Sequence, residues 1–318
     1  MNLTLLLCLL RKALTQYSFN TKMRDHAPED IAAALAWVSR STVNVSVLAN
    51  AANARAFLEA AVTNVDGKRA AASTARRHRV IVANALDYAK ELGAIDFSTN
   101  PVRAVKWTAP KTVRMVDRRC VVNQHQARKL LNAIRVQQPS GPRLVAYFAC
   151  IYYAALRPEE VDALGEDNLT LLPHTWNTET GEWEDPPGSD GFGEFEFGKA
   201  SPLAGRDWTD DGDQRDHRQL KHRAKGETRT VPVHPELAKI LRAHITQFGT
   251  GPDGRLFIGV RGGELAEITT RRAWIVARKS VLTEAEQKSP LAKRIYDLRH
   301  ACLSLWLNAG IVPTQAAD

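Results

Sequence analysis

Residues 294–310 carry the sequence Arg294-Ile-Tyr-Asp-Leu-Arg-His-Ala-Cys-Leu-Ser-Leu-Trp-Leu-Asn-Ala-Gly310. Its apolar side chains recur at helical spacing, so we expect a helix whose core-facing side carries Leu298, Cys302, Leu305 and Trp306. Gly310, followed by Pro313, marks the end of this helix. Its first turn instead carries three polar side chains, which are Tyr296, Arg299 and His300. The pattern predicts a rigid helix that presents polar groups to a ligand.

Arg299 has the most specific chemistry in this turn. A guanidinium held by a helix can bind a phosphate or a carboxylate through two parallel hydrogen bonds. The same group can instead pair with a carboxylate of the core, such as that of Asp297. The helix alone does not distinguish an anion-binding site from a structural ion pair.

The composition is that of a globular protein with a basic charge balance. Of the 318 residues, 44% are hydrophobic and 25% are charged, and the length predicts roughly two domains. The net charge of +8 favours a polyanionic partner, with nucleic acid before a membrane surface. A basic protein without such a partner is the alternative.

Cysteine usage and the apolar runs argue against secreted and membrane proteins. The four cysteines are scattered without a C-x-x-C pair, so we expect neither a disulfide framework nor a zinc site, and a cytoplasmic location fits. The apolar run at residues 3–10 is far too short to cross a bilayer and lacks the flanks of a signal peptide. We therefore expect no membrane association.

Residues 28–107 are predicted to be helical throughout. We expect helices at residues 28–38 and 49–65, and a third that ends at Leu92 and has Ser73 or Thr74 as its cap. One side of the third helix carries Val80, Ala83, Leu86 and Ala89, and its first turns carry Arg76, Arg77 and Arg79. Because cations at a helix N-terminus oppose the helix dipole, we expect either phosphate contacts or a solvated face.

A basic, proline-punctuated segment follows at residues 101–119 and includes Lys106 and Lys111. We place the domain boundary near residue 115. This choice divides the chain into an N-terminal extension (1–27), a helical domain (28–110), a linker (111–122) and a second domain (123–318).

The second domain contains a buried helix, predicted at residues 143–155, that is followed at once by Arg157 and Pro158. Proline suits the first turn of a new helix, so Arg157 lies at a tight junction that fixes the direction of its side chain. Glu160 follows one turn later and can orient the guanidinium of Arg157.

Between residues 165 and 218 the sequence is acidic and rich in loops, with one exposed strand expected at residues 192–197. The aspartates at residues 207–216 lack the spacing of a calcium-binding loop, so we expect a solvated loop and no metal site. A basic hairpin around Gly226 is predicted next, carrying Lys221 and Lys225, whose alternative role is ordinary surface charge. A basic helix at residues 269–281 then contributes Arg271 and Arg272.

Three motifs occur in order along this basic, two-domain chain. They are the run from Ala154 through Arg157 to Glu160, the basic hairpin that leads into Arg229-Thr-Val-Pro-Val233, and Tyr296-Asp-Leu-Arg299-His300. Together they resemble the tyrosine site-specific recombinases, or phage integrases, and above all the long integrases of high-GC Gram-positive bacteria and their phages. The resemblance extends from about residue 30 to the end of the chain.

The resemblance implies a mainly α fold with a small antiparallel β-sheet, in which residues 28–110 form a helical core-binding domain and residues 123–318 a mixed α+β catalytic domain. It implies cleavage and rejoining of double-stranded DNA at attachment or recombination sites, without a metal or cofactor and through a phosphotyrosine link. Arg157 and Arg299 match the two arginines that clamp the scissile phosphate, and Lys221, or failing it Lys225, matches the lysine that protonates the leaving oxygen. Tyr296 stands at a further catalytic position. Glu160 and His300 stand at supporting positions beside the arginines. The implied DNA contacts come from Arg76, Arg77, Arg79, Lys106, Lys111, Arg271 and Arg272, and the implied assembly is a homo-tetramer on DNA in a full-length form.

The chain departs from the family pattern at two points. The second-arginine motif usually opens with histidine, whereas Tyr296 stands there, and tyrosine is a poorer acid–base group near neutrality. The family's nucleophilic tyrosine lies on a later helix, and no tyrosine follows Arg299 in this sequence. We therefore expect a C-terminally truncated integrase that cannot recombine DNA alone, the alternative being a non-catalytic DNA-binding protein that competes for attachment sites.

Overall fold

The structure is a computed structural model, and it describes residues 27–42, 44–64, 66–108, 110–111, 117–184, 190–206, 209, 212–216, 218–219 and 226–317. The chain forms two compact units, residues 1–115 and residues 116–318. Lys221 and Lys225 lie outside the described residues, as does the apolar run at residues 3–10.

The first unit is helical in its described part. Its helices are α1 (Glu29–Arg40), α2 (Ala51–Ala61), α3 (Ala72–Glu91) and α4 (Pro101–Ala104), with a 3-10 turn at Val45–Ala49. Its core is formed by Leu48, Ala54, Leu58, Ala83, Leu86, Val102 and Val105. A buried amide fixes α4 against α3, because Asn100 donates to the carbonyl of Ala83 (2.8 Å) and caps Val102.

Two details of α3 differ from the prediction. Neither Ser73 nor Thr74 is the cap, because the helix already begins at Ala72, after Ala71, which makes no side-chain cap. Val80 is exposed, and Ala75 lies buried one turn earlier instead. The helical spacing therefore placed Ala83 and Leu86 on the buried side of α3 correctly, but not Val80.

The second unit is built around α6, which is buried along nearly its whole length. Its helices are α5 (Gln124–Arg135), α6 (Gly141–Tyr153), α7 (Pro158–Asp162), α8 (Pro235–Phe248), α9 (Glu267–Val281), α10 (Glu284–Lys288), α11 (Asp297–Asn308) and α12 (Pro313–Ala317), with 3-10 turns at Arg118–Cys120 and Glu166–Asn168. Helices α5, α8 and α11 pack against α6, and the ring of Phe148 stacks on that of Trp274 of α9 at 5.5 Å. A helix that is apolar on every side needs such neighbours all round.

A small antiparallel sheet lies beside these helices. The strands are β1 (Leu169–Thr170), β2 (Thr175–Asn177), β3 (Glu182–Glu184), β4 (Gly193–Phe197), β5 (Lys199–Ala200), β6 (Arg218–Gln219) and β7 (Arg229–Val233). In the main sheet the order is β1-β4-β7, β2 pairs with β3, and β5 pairs with β6. The predicted fold class, mainly α with a small antiparallel sheet, is confirmed.

One prediction about the strands is wrong in detail. The strand expected to be exposed, β4, is the central strand, and its Phe195 and Phe197 side chains are buried. The first strand of the hairpin expected around Gly226 lies largely outside the described residues, at residues 220–225, and the described strand after Gly226, β7, pairs with β4. Local alternation therefore identified β4 but not its central place in the sheet.

Helix α11 has the predicted limits and most of the predicted core contacts. Leu298 and Cys302 are buried, whereas Leu305 is 37% exposed and lines a surface cavity. At its end Gly310 has φ +93°. This left-handed residue lets the N–H groups of Gly310 and Ile311 bond the carbonyls of Leu307 and Trp306, which is a Schellman cap.

No helix in the described ranges is both long enough and apolar enough to cross a membrane.

Candidate functional site

The candidate site begins at the junction between α6 and α7. After α6 ends at Tyr153, the chain turns through Ala155, which has φ +50°, and Pro158 starts α7. The backbone N–H of Arg157 donates to Oε2 of Glu160 (2.7 Å), and its guanidinium Nη1 donates to Oε1 of the same residue (2.7 Å). Glu160 is only 2% exposed, whereas the Arg157 side chain is 33% exposed. The carboxylate therefore orients Arg157, as predicted, while part of the guanidinium surface faces outward.

The first turn of α11 brings Arg299 to the same carboxylate. Its side chain is 12% exposed, its Nη1 donates to the carbonyl of Ala155, and Nη1 lies 3.9 Å from Oε2 of Glu160. This distance is that of an ion pair and is too long for a hydrogen bond. Arg299 is thus held beside Glu160 without being bonded to it.

The structural alternative for Arg299, an ion pair with a carboxylate of the core, is present in the fold, but its partner is Glu160 and not Asp297. Buried Asp297 instead pairs with Arg294, whose Nη2 lies 2.9 Å from Oδ1 and whose backbone N–H donates to Oδ2 (2.8 Å). Because Arg294 satisfies Asp297, the guanidinium of Arg299 is directed toward Glu160.

A third arginine, Arg229, was not among the predicted site residues. It opens strand β7, its side chain is 11% exposed, and its Nη2 lies 3.1 Å from Oε2 of Glu160. Its guanidinium lies over the ring of Phe197, the residue opposite it in β4, at 5.2 Å from the ring centre. The alternation of β7 contained a signal for it, because Arg229 shares the inward face of the strand with buried Val231 and Val233.

The electrostatics of the site follow from three guanidiniums around one carboxylate. Burial acts to raise the pKa of Glu160, but Arg229 and Arg157 outweigh it and the pKa is lowered. Burial also opposes the charge of Arg157, but Glu160 outweighs it and raises the pKa of that guanidinium. For Arg299, burial and the like charge of Arg157 together lower the pKa. The three guanidiniums and the one carboxylate thus carry two positive charges in excess. An added anion would stabilise the charged form of Arg299, which Glu160 balances least.

Tyr296 and His300 stand at the start of α11 beside this cluster. Their rings contact edge to face, with centres 5.1 Å apart. Burial lowers the pKa of His300, so its imidazole is neutral at pH 7. The backbone carbonyl of Tyr296 accepts the N–H groups of Arg299 (3.1 Å) and His300 (3.4 Å), so Tyr296 precedes both residues by one helical turn.

A cavity of about 470 Å³ adjoins the arginines. Arg229 and Arg299 contribute to its wall, together with His234 and the apolar side chains of Phe192 and Trp306. The cavity therefore gives the cluster an open approach on one side.

The predicted DNA-contacting residues lie in both units. In the first unit Arg77, Lys106 and Lys111 are exposed, whereas Arg76 donates to the carbonyl of Pro110 (2.9 Å) and Arg79 to that of Val102 (3.0 Å). Arg79 also lies over the ring of Trp107, at 5.0 Å from its centre. Two of the three α3 arginines therefore fix their own chain segment. In the second unit Arg271 and Arg272 are exposed on α9.

Across the described residues, no group of three or more His, Cys, Asp or Glu side chains could hold a metal ion.

Comparison with protein-family models and with curated proteins gives no match. Solved structures do match. The structure of the Tn1549 transposon integrase (residues 82–397) in complex with a circular intermediate DNA has a TM-score of 0.55 and 13% identity, over 98% of this chain and 89% of that one. The chain has the integrase fold. A second structure of the Tn1549 integrase, in complex with transposon right end DNA, has a TM-score of 0.56 and 14% identity, over 98% of this chain and 89% of that one. The structure of lambda integrase (residues 75–356) bound to DNA has a TM-score of 0.50 and 16% identity, over 97% of this chain and 88% of that one.

The integrase fold confirms the resemblance drawn from the three sequence motifs. At these identities it is the architecture that is shared, and the roles of individual residues remain predictions.

Proposed function

We propose that this chain binds duplex DNA as an integrase-type protein and that it supplies the phosphate clamp, but not the attacking tyrosine, of a site-specific recombinase. In this proposal Arg157 and Arg299 clamp the scissile phosphate during strand cleavage and rejoining through a phosphotyrosine link. The observation that carries it is the convergence of the two arginines on Glu160, with one third of the Arg157 side chain exposed and Arg299 outside hydrogen-bond range of the carboxylate.

The chemistry requires what this cluster offers. In phosphoryl transfer, negative charge spreads over the non-bridging oxygens, and fixed guanidinium donors stabilise that charge without a metal. In our proposal Tyr296 donates a further hydrogen bond, His300 supports it, and Lys221 or Lys225 protonates the leaving oxygen. The attacking tyrosine is not assigned to any of the 318 residues, since none follows Tyr296.

DNA as the partner is supported by charge and by the neighbours. The chain carries a net charge of +8, and the integrase structures that share its fold are described as complexes with DNA. We propose that residues 28–110 form the core-binding domain and residues 123–318 the catalytic domain, joined by a linker at residues 111–122. We propose that the assembly on its site is a homo-tetramer.

The DNA-binding part is tested by the salt dependence of affinity for a fluorescent duplex of mixed sequence. Phosphate neutralisation releases counterions, so the logarithm of the affinity should fall linearly with the logarithm of salt concentration, by about 0.9 per phosphate contacted. Arg271→Ala and Arg272→Ala should each make that slope shallower by about one contact. An affinity that does not change with salt would contradict DNA binding through phosphates.

The clamp is tested separately with inorganic phosphate. Titration of protein labelled with ¹⁵N-arginine should shift the guanidinium signals of Arg157 and Arg299 together. Arg157→Lys and Arg299→Lys should each weaken phosphate binding by about tenfold or more, because lysine cannot form two parallel hydrogen bonds to one anion. Phosphate that shifts neither signal would rule out this site as the clamp.

A further inference from the structure

More cationic and N–H donors surround Oε2 of Glu160 than this one oxygen can accept hydrogen bonds from. Oε2 already accepts the backbone N–H of Arg157 at 2.7 Å and pairs with Nη2 of Arg229 at 3.1 Å. A carboxylate oxygen offers about two lone-pair sites, so these two donors fill it. Arg299, whose Nη1 stands at 3.9 Å from the same oxygen, is the group left outside.

Arg229 is well placed to hold its position at Oε2. It lies in regular β-structure, in register with Phe197 of β4, and its guanidinium lies on that ring. The contact combines an ion pair with a cation–π interaction, and both are stronger in a buried setting. Arg299 is less firmly placed, because its bond to the carbonyl of Ala155 involves a neutral acceptor.

We propose that Arg229 is a positioning residue that occupies Glu160 and thereby leaves the guanidinium of Arg299 available for the phosphate. Without Arg229, Oε2 would have a vacant acceptor site next to a partly desolvated cation. A movement of roughly 1 Å would bring Arg299 to the normal hydrogen-bond distance. Arg299 would then be captured by Glu160, and its binding of an external anion would have to compete with that internal pair. This role rests on the proposed phosphate clamp, although the capture itself occurs without any ligand.

The first test detects the capture in the ligand-free full chain. The guanidinium signals of Arg299 are recorded in ¹⁵N-arginine-labelled wild type and Arg229→Gln, and are assigned by their loss in Arg299→Lys. Capture predicts that Arg229→Gln shifts these signals and slows rotation of the guanidinium, as expected for a carboxylate-bound arginine. Arg255→Gln is the matched control, because it removes an arginine paired with Asp253 elsewhere in the second unit. Arg299 signals that are the same in wild type and Arg229→Gln would overturn the proposal.

The second test separates positioning from direct contact with the anion. Inorganic phosphate should bind Arg229→Gln about tenfold or more weakly than wild type, the equivalent of one charge-assisted hydrogen bond. Glu160→Gln/Arg229→Gln should recover the affinity of Glu160→Gln alone, since no carboxylate remains to capture Arg299. Arg229→Lys should stay close to wild type, because lysine can still occupy Oε2.

A double variant that binds phosphate as weakly as Arg229→Gln would show that Arg229 contacts the anion itself and would overturn the positioning role. Unfolding midpoints of all variants establish that the compared proteins are folded. Failure of phosphate to bind wild type would count against the proposed clamp, whereas the ligand-free spectra of Arg299 would still decide the role of Arg229.

Discussion

Replacement of Glu160 by glutamine tests the centre of the site through stability. The carboxylate accepts the backbone N–H and the guanidinium of Arg157, and pairs with Arg229 at 3.1 Å. Removing one partner of a buried ion pair costs about 3–5 kcal/mol, because the remaining charge is left uncompensated. One third of the Arg157 side chain reaches water, which can hydrate part of the freed charge. We therefore expect the lower end of that range, about 3 kcal/mol.

The assay is urea and thermal unfolding of the full chain, followed by tryptophan fluorescence, to which the buried Trp274 of the second unit contributes. For a unit of this size, a loss of 3 kcal/mol corresponds to a midpoint lowered by about 6–12 °C. Glu284→Gln is the control, since it makes the same chemical change in an exposed pair with Lys288, and it should leave the midpoint essentially unchanged. A loss below about 1 kcal/mol for Glu160→Gln would refute the argument that this carboxylate holds the three arginines together.

Three further predictions concern pH and local order. Because the pKa of Glu160 is lowered in the fold, its stabilising effect is complete above the ordinary value of 4.5 and is lost as pH falls further, so wild type and Glu160→Gln should converge in acid urea melts. Burial lowers the pKa of His244, whose Nε2 contacts the carbonyl of Leu256 at 2.9 Å. As pH falls, the unfolded chain therefore protonates this imidazole before the folded chain does. The free energy of unfolding should decrease below pH 6.5 in wild type and decrease less in His244→Gln. Arg278 donates to four carbonyls of residues 286–291 at 2.8–3.1 Å, so Arg278→Lys should cost about 2 kcal/mol or more in urea unfolding, whereas the exposed neighbour Lys279→Ala should change little.

The sequence predicted those parts of the site that depend on neighbours along the chain. Pro158 at the first position of α7 and Gly310 at the end of α11 are local signals, and both helices lie where the signals place them. The link between Arg157 and Glu160 spans three residues and closes within one helical turn. Local chemistry of this kind needs no knowledge of the rest of the fold.

The sequence could not supply the contacts that the tertiary fold makes. Arg299 bonds the carbonyl of Ala155, 144 residues earlier, and Arg229 reaches Glu160 only through the register of β7 on β4. The alternation of β7 shows that Arg229 faces inward but does not show which acid it meets. Likewise, helical spacing placed Leu305 on the core side of α11, but it did not show how far the core extends along that helix.

A buried glutamate is unexpected in a site proposed to bind a phosphate, because it repels the ligand. Its presence follows from the cost of the alternative: Arg157, Arg229 and Arg299 side by side would bring three partly desolvated positive charges together. Burial and the like charge of Arg157 together lower the pKa of Arg299, so the cations oppose one another in the free protein. One carboxylate offsets that repulsion in the free protein and still leaves two positive charges for an anion. Glu160 is therefore the residue through which the fold can keep its arginines together before a phosphate arrives.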